Sequence, residues 1–217
     1  RKPKGFEMEG KEKTMFDKLK LRIMRNWCKS MYVIDGDAKE VRELYELMKG
    51  LQRRKEPFVR NGFGTTWLGC LLNALGYECY YMANCQGAWF HLEMVGDTLR
   101  FTTETISSPR PLAFDFVCKK YPSLACYYRA EEPVTILFET NDREGKYFPE
   151  KYRVEVFTPE CEFLLRYFIE LPEVFEWLGK IFGQPVSSEE QVNGLVAQWV
   201  KTSEYAYCYI DRFKVIN

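Results

Sequence analysis

The sequence predicts an α+β fold whose core is a split βαββαβ unit with an antiparallel sheet. Three observations carry that reading. Cys28–Ile34 reads as a strand and is followed at once by a capped amphipathic helix. Ala88–Glu104 folds back on itself as a hairpin with one apolar and one charged face. A further helical pattern after Ser108-Pro109 leads into another strand, Leu124–Glu132.

The first helix starts after Asp35-Gly36-Asp37. Asp37 stands in N-cap position with Glu40 three residues on, the spacing of a capping box. Val41, Leu44, Tyr45, Met48 and Leu51 then recur at helical spacing to an end near Arg53. Gly62-Phe63-Gly64-Thr65-Thr66 precedes a second apolar stretch, Trp67–Leu75, closed by Gly76. A glycine-rich loop ahead of a helix can offer amides to an anion. A single G-x-G, however, lacks the third glycine of a dinucleotide loop and the Gly-Lys-Thr of a phosphate loop. The plain reading is a tight turn with a threonine cap, and the helix is an insertion before the hairpin.

The hairpin register follows from placing Gly96-Asp97 at a two-residue tip, glycine first as a type II′ turn prefers. Met94 then faces Leu99, Leu92 faces Phe101 and Phe90 faces Thr103. On the other side Glu93 faces Arg100, His91 faces Thr102 and Trp89 faces Glu104. One register explains both faces, and a slip of one residue would destroy both. Ser108 as N-cap and Pro109 at the first helical position open the next helix. Its buried stripe reads as Leu112 and Phe116 with Val117 beside them; Lys119 and Lys120 suit the last turn, and Pro122 stops it. Strand, helix, hairpin, helix, strand is the ferredoxin-like order.

Beyond Pro133, Val134–Thr140 reads as a strand and Asn141–Lys146 as a turn-rich loop. Tyr152–Val156 and Glu162–Phe168 can pair around Thr158-Pro159, although residues 161–168 also fit a helical period. Pro172 opens a helix carrying Val174, Phe175, Leu178, Ile181 and Phe182, with Gly183 just past its end. Ser187 and Glu190 cap another, with Val192, Leu195, Val196 and Trp199 as its stripe. Tyr205–Ile216 reads as a final strand. The organisation is a basic N-terminal extension (1–25), a ferredoxin-like core (26–132) and a C-terminal strand–helix–helix–strand elaboration of the same domain (133–217).

Composition narrows the function classes. With 46% hydrophobic and 16% aromatic residues, a packed core is available and wholesale disorder is excluded. No apolar run approaches the roughly 20 residues that span a bilayer, and none resembles a signal-peptide core, so the reading is a soluble cytoplasmic protein without a membrane partner. The net charge is zero, yet residues 1–29 carry ten Lys/Arg against four Asp/Glu. Met15, Phe16, Leu19 and Ile23 fall on one helical face of that basic arm. It can dock on its own domain, or meet nucleic acid or another anionic surface. None of the eight cysteines has C-x-x-C spacing and the only histidine is His91. Cys70, Cys79 and Cys85 form the closest grouping, and they read as buried thiols. Neither a metal nor a cofactor is expected.

Several strings carry a family likeness. Asn26-Trp27-Cys28 leads into the first strand, and Asn61-Gly-Phe-Gly-Thr-Thr-Trp67-Leu-Gly69 precedes the second helix. Glu104-Thr105 leads to Ser108-Pro109, Ala130-Glu-Glu-Pro133 ends the Leu124–Glu132 strand, and Asn141-Asp142 leads to Tyr147-Phe-Pro-Glu-Lys-Tyr152. Together, over most of residues 26–217, they resemble the YubB-like ferredoxin-fold proteins of plasmids, phages and other bacterial mobile elements. The family has Trp-Ser-Pro where this chain has Ile106-Ser107-Ser108-Pro109, and Glu-Glu-Pro-Gly where it has Val134, which marks those positions as altered. The resemblance implies a bacterial cytoplasmic protein with this fold. It implies no reaction and no iron–sulfur cluster.

Catalytic candidates are thin. Glu131-Glu132 and Asp142-x-Glu144 are acidic pairs, but adjacent strand residues point to opposite faces, and His91 with Cys85 or Cys79 lacks a third group. A hydrolase is therefore an alternative rather than the reading. The binding candidates are a loop (Gly62, Gly64, Thr65, Trp67), the polar hairpin face (Trp89, His91, Arg100) and the Leu124–Glu132 strand with its bend (Arg129, Glu131, Glu132). Trp67, Trp89 and Arg129 are expected to line one pocket. The function read from these residues is a non-enzymatic binding or regulatory module for a protein or small polar ligand; an accessory protein that meets nucleic acid through residues 1–25 is a further alternative. The competing structural expectation is that the C-terminal helices cover the polar face.

Overall fold

Strand β1 (Trp27–Asp35) runs through the middle of the larger of two sheets in the computed structural model, which describes residues 26–78 and 83–216. The basic arm, with Met15, Phe16, Leu19 and Ile23, and Cys79 lie outside the described residues. Strand alternation puts Cys28, Ser30, Tyr32 and Ile34 into the core. β1 pairs antiparallel with both β3 (Thr98–Ile106) and β4 (Ala125–Glu132). With β2 (Gly87–Val95), β5 (Leu137–Thr140) and the short β9 (Lys214–Val215), the order across the six-stranded sheet is β2-β3-β1-β4-β5-β9. Only the β5–β9 pair is parallel.

Helices α1 (Ala38–Gln52), α2 (Leu68–Ala74) and α3 (Pro111–Lys120) cover one face of this sheet, over a core that includes Tyr32, Leu44, Met48, Leu71, Trp89, Phe101, Phe114 and Tyr128. Asp37 caps α1 as its sequence signals, accepting from the Lys39 and Glu40 amides. Glu40 does not complete a capping box. Its carboxylate accepts instead from the amide and hydroxyl of Ser123 at 3.2 and 2.6 Å, while the Asp37 amide donates to Ser123 Oγ. Ser123, just before β4, competes successfully for Glu40 and ties the start of α1 to that connection.

Helix α3 begins two residues later than Ser108-Pro109 suggest. Ser107 sits at φ +64, and Arg110 donates to the Ile106 carbonyl at 2.6 Å, so the chain turns once more before Pro111. The shift rotates the buried stripe to Ala113, Phe114 and Val117 and leaves Leu112 exposed. The strand expected from Val134 starts only at Leu137. Residues 133–136 form the β4–β5 turn, with Ile136 at φ +57 and Val134 and Ile136 exposed.

The chain then builds a second sheet, ordered β7-β6-β8, from β6 (Tyr152–Phe157), β7 (Phe163–Phe168) and β8 (Tyr207–Arg212). Residues 163–168 are thus strand rather than helix. α4 (Leu171–Phe182) and α5 (Glu189–Thr202) pack on this sheet around Val154, Val156, Phe168, Val174, Leu178 and Val192. Gly183 ends α4 at φ +68, the left-handed position glycine tolerates. The cap of α5 is Ser188, not Ser187; Gln191 accepts from the Ser187 amide. The final segment is two strands, because Phe213 separates β8 from β9, which joins the other sheet. α4 and α5 therefore cover their own sheet, and the second sheet, not these helices, meets the far face of the first.

Gly87 opens β2 flat against β3. A Cβ there would be driven into the Glu104 carbonyl and the Thr105 side chain. Gly87→Ala should lower stability by about 1–3 kcal/mol, the usual cost of overpacking, measured as a shift in the urea midpoint.

Candidate functional site

The hairpin tip is as its sequence requires: Gly96 has φ +59, Met94 pairs with Leu99 and Glu93 with Arg100. Beyond Glu93 the register changes. Phe90 pairs with Thr102 and Trp89 with Thr103, so His91 and Leu92 together oppose Phe101. Two residues against one is a β-bulge, and His91 takes it up at φ +53. The slip reverses every side chain before the bulge. Trp89, expected on the polar face, is 0% exposed in the core, while Phe90 is turned outward at 40% exposure. The energetic reason is size: burying an indole rather than a phenyl ring removes more apolar surface from water.

Arg129, Glu131 and Glu132 are engaged within the protein rather than displayed beside the hairpin face. Arg129 and Arg153 are both buried between the sheets, their Nε atoms 3.5 and 3.2 Å from the two oxygens of Glu131, without hydrogen-bond alignment. Arg129 also holds Glu150 at 2.9 Å and lies over the rings of Tyr167, Phe213 and Phe148. Arg153 bonds Asp211 at 3.0 Å and Glu155, and lies over Phe138. Tyr167 donates its hydroxyl to Glu131 at 3.0 Å. Burial pushes the Asp211 carboxyl up, which its bond to Arg153 only partly offsets. Glu132 points the other way and accepts from the Val134 and Thr135 amides at 3.0 and 2.8 Å, organising the β4–β5 turn.

The Gly62–Trp67 loop is closed on itself. Asn61 Oδ1 accepts from the Phe63 and Gly64 amides at 2.6 and 2.8 Å, and its Nδ2 donates to Val59 and Gly64 carbonyls. Two of the loop amides are thereby engaged, and Trp67 caps α2 without a side-chain bond, so neither Thr65 nor Thr66 is the cap. Trp67 donates Nε1 to the Cys85 carbonyl and lines, with Asn61, Gly62 and Gln86, a cleft of about 340 Å³. Trp67 lies beside Trp89, since Ala88 bridges to it and the Trp89 amide donates to the Thr66 carbonyl. Trp89 is nevertheless sealed in the core and Arg129 is buried between the sheets, so the three do not line one pocket.

What remains is the far face of β1, β3 and β2. Met31 is 47% exposed there beside Phe90, His91, Arg100 and Thr102. His91 Nδ1 meets Thr102 Oγ1 at 2.8 Å. Arg100 is exposed, and its side chain makes no hydrogen bond or ion pair among the described residues. One wall is the 141–150 loop, which sequence reasoning treated only as a turn. Asp142 is its organiser, accepting from the amides of Lys146, Tyr147 and Phe148 at 3.0, 2.6 and 2.8 Å. The loop is latched to β1, since Lys146 and the Tyr147 hydroxyl both bond Asp35. Tyr147 and Phe148 then close a shallow groove of about 160 Å³ with Met31, His91, Arg100 and Thr102. The same loop borders a larger cleft of about 430 Å³ between the sheets, lined by Glu150, Lys151, Arg212 and Phe213.

Among the described residues no three or more His, Cys, Asp or Glu side chains are placed to hold a metal ion, and no helix is long and apolar enough to cross a membrane. Cys28 is buried, which pushes its thiol up to about 11, whereas Cys161 is exposed. No family model, curated protein or solved structure matches this chain.

Two measurements check this site. Trp89→Ala should cost about 3–5 kcal/mol in urea unfolding, and Phe90→Ala well under half of that. The Lys146 contact, with the Tyr147 hydroxyl, holds Asp35 below the usual carboxylate range. A depressed folded-state value stabilises above the unfolded value and is lost as pH falls through the folded one. Asp35→Asn should therefore loosen the latch slightly at pH 7, and its stability difference from wild type should shrink as pH falls below about 4 and vanish only below the depressed folded-state value.

Proposed function

We propose that the protein is a non-enzymatic binding module that recognises a protein partner through the open face of β1, β3 and β2. The observation that carries this reading is the set Met31, Phe90, His91 and Arg100, displayed on a sheet face beside a latched loop. Rings and thioether give apolar contact, while the Arg100 guanidinium, opposite Glu93 but in no ion pair among the described residues, suits a carboxylate. A groove of about 160 Å³ is below the roughly 300–1,000 Å³ of drug-sized ligand sites, so it fits a partner's side chain or chain end better than a whole small molecule.

The strand order β2-β3-β1-β4, antiparallel throughout, supports a ferredoxin-like split core as the frame. Such a frame leaves the sheet face opposite its helices open to a partner. The likeness of the Asn61–Gly69, Ala130–Pro133 and Asn141–Tyr152 strings to YubB-like proteins supports a cytoplasmic role in a bacterial mobile element. The test is a photo-crosslinking amino acid at position 90 in cells, with position 42 on the exposed side of α1 as control. A discrete adduct from position 90 alone, lost on Arg100→Ala, is the expected result. Equal adducts from both positions, or none from position 90, would overturn the reading.

A further inference from the structure

The second sheet has a face of its own that the first sheet covers only in part. On the side away from α4 and α5, the strands present three rungs: Tyr167–Arg153–Asp211, Leu165–Glu155–Tyr209 and Phe163–Phe157–Tyr207. The first rung lies in the contact between the sheets, with Arg153 buried and Tyr167 and Asp211 half-buried. The other two extend beyond it, and Phe163, Leu165 and Tyr209 are 55%, 41% and 58% exposed. The aromatic side chains of β6 and β8 on this face are held against one another. Phe157 stacks on Tyr207 at 5.9 Å, Tyr207 stacks on Tyr209 at 4.9 Å, and the Tyr207 hydroxyl bonds Glu155 at 2.7 Å. Rigid, half-exposed rings are the residues that anchor protein interfaces.

The charges around these rungs have one sign. Residues 154–165 and 203–210 contain Glu155, Glu160, Glu162 and Glu204 and no Lys or Arg. Glu155 is neutralised by Arg153, while the other three are exposed. We propose that this face is a docking surface for a basic peptide segment of a partner protein, with Lys or Arg interspersed among aliphatic residues. Aliphatic groups would lie on the Phe157, Phe163 and Leu165 surface. Cations would meet the rim carboxylates and the face of Tyr209. Nucleic acid could stack on the rings, but its phosphates would face carboxylates. A second copy of the chain fits no better, because a two-fold interface sets the same acidic rim against itself.

The experiment uses the full chain and a fluorescent synthetic peptide of alternating Lys and Leu turns, with a Glu-for-Lys counterpart, followed by anisotropy. Saturable binding of the Lys peptide alone is expected, weakened at least tenfold by Phe163→Ala with Tyr209→Ala. Replacing Glu160, Glu162 and Glu204 by Gln, which leaves the apolar surface intact, should also weaken it and flatten its salt dependence. Three results would overturn the proposal: equal binding of both peptides, no binding of either, or affinity unchanged in the double variant. Sedimentation provides a fourth: wild-type self-association abolished by the double variant would assign the face to a second copy.

Discussion

Two buried guanidinium groups, those of Arg129 and Arg153, set how the two sheets meet. Each is a charge removed from water, which is tolerable only with carboxylates and ring faces close around it. Glu131 sits between them, Glu150, Glu155 and Asp211 take the outer donors, and Tyr167, Phe213 and Phe138 supply the rings. The contact is specific because a guanidinium offers donors in a fixed plane. It decides which part of the first sheet's far face is consumed, and so which part stays available. The β4–β5 half is spent on the join, leaving the β1–β3–β2 half to face solvent.

Much of the fold was legible because local chemistry announced it. Asp37, Gly96 and Gly183 each stand where a cap or a positive φ leaves few alternatives, and the structure uses all three that way. Features set by tertiary competition were not. Glu40 is drawn from its expected partner by Ser123, which is 83 residues away in sequence. The bulge at His91-Leu92 has no glycine to mark it, and histidine is only moderately at ease in the left-handed region. The one available signal was Trp89 itself, since a tryptophan assigned to a charged face is a reason to doubt the register.

The same distinction holds for the site. The polar hairpin face was readable from alternation, and His91, Arg100 and Thr102 do share it. Trp89 was placed there wrongly through the bulge. Arg129, Glu131 and Glu132 looked like ligand groups because sequence shows charges but not what neutralises them. The partners of Arg129 and Glu131, Glu150 in the loop before β6 and Arg153 on β6, arrive through packing that no local pattern specifies, while Glu132 is held by the amides of its own turn. Asp142 was visible as an acid, but its three backbone amide partners arise only once the loop has closed.

The bulge also makes the length of β2 consequential. Its two ends obey opposite phases: before it, odd-numbered Trp89 faces the helices, and after it even-numbered Met94 is partnered by the core residue Leu99. Deleting either His91 or Leu92 would merge the phases into one. The strand could then keep Met94 facing inward only by swinging the indole out, or keep the indole buried only by turning the hairpin tip over. Relatives of this chain that have lost one residue in this strand should therefore carry a compensating change at the position now pointing inward. Strand length and core identity are inherited together here, and an insertion or deletion in β2 is a core mutation even though it falls on the surface side of the sheet.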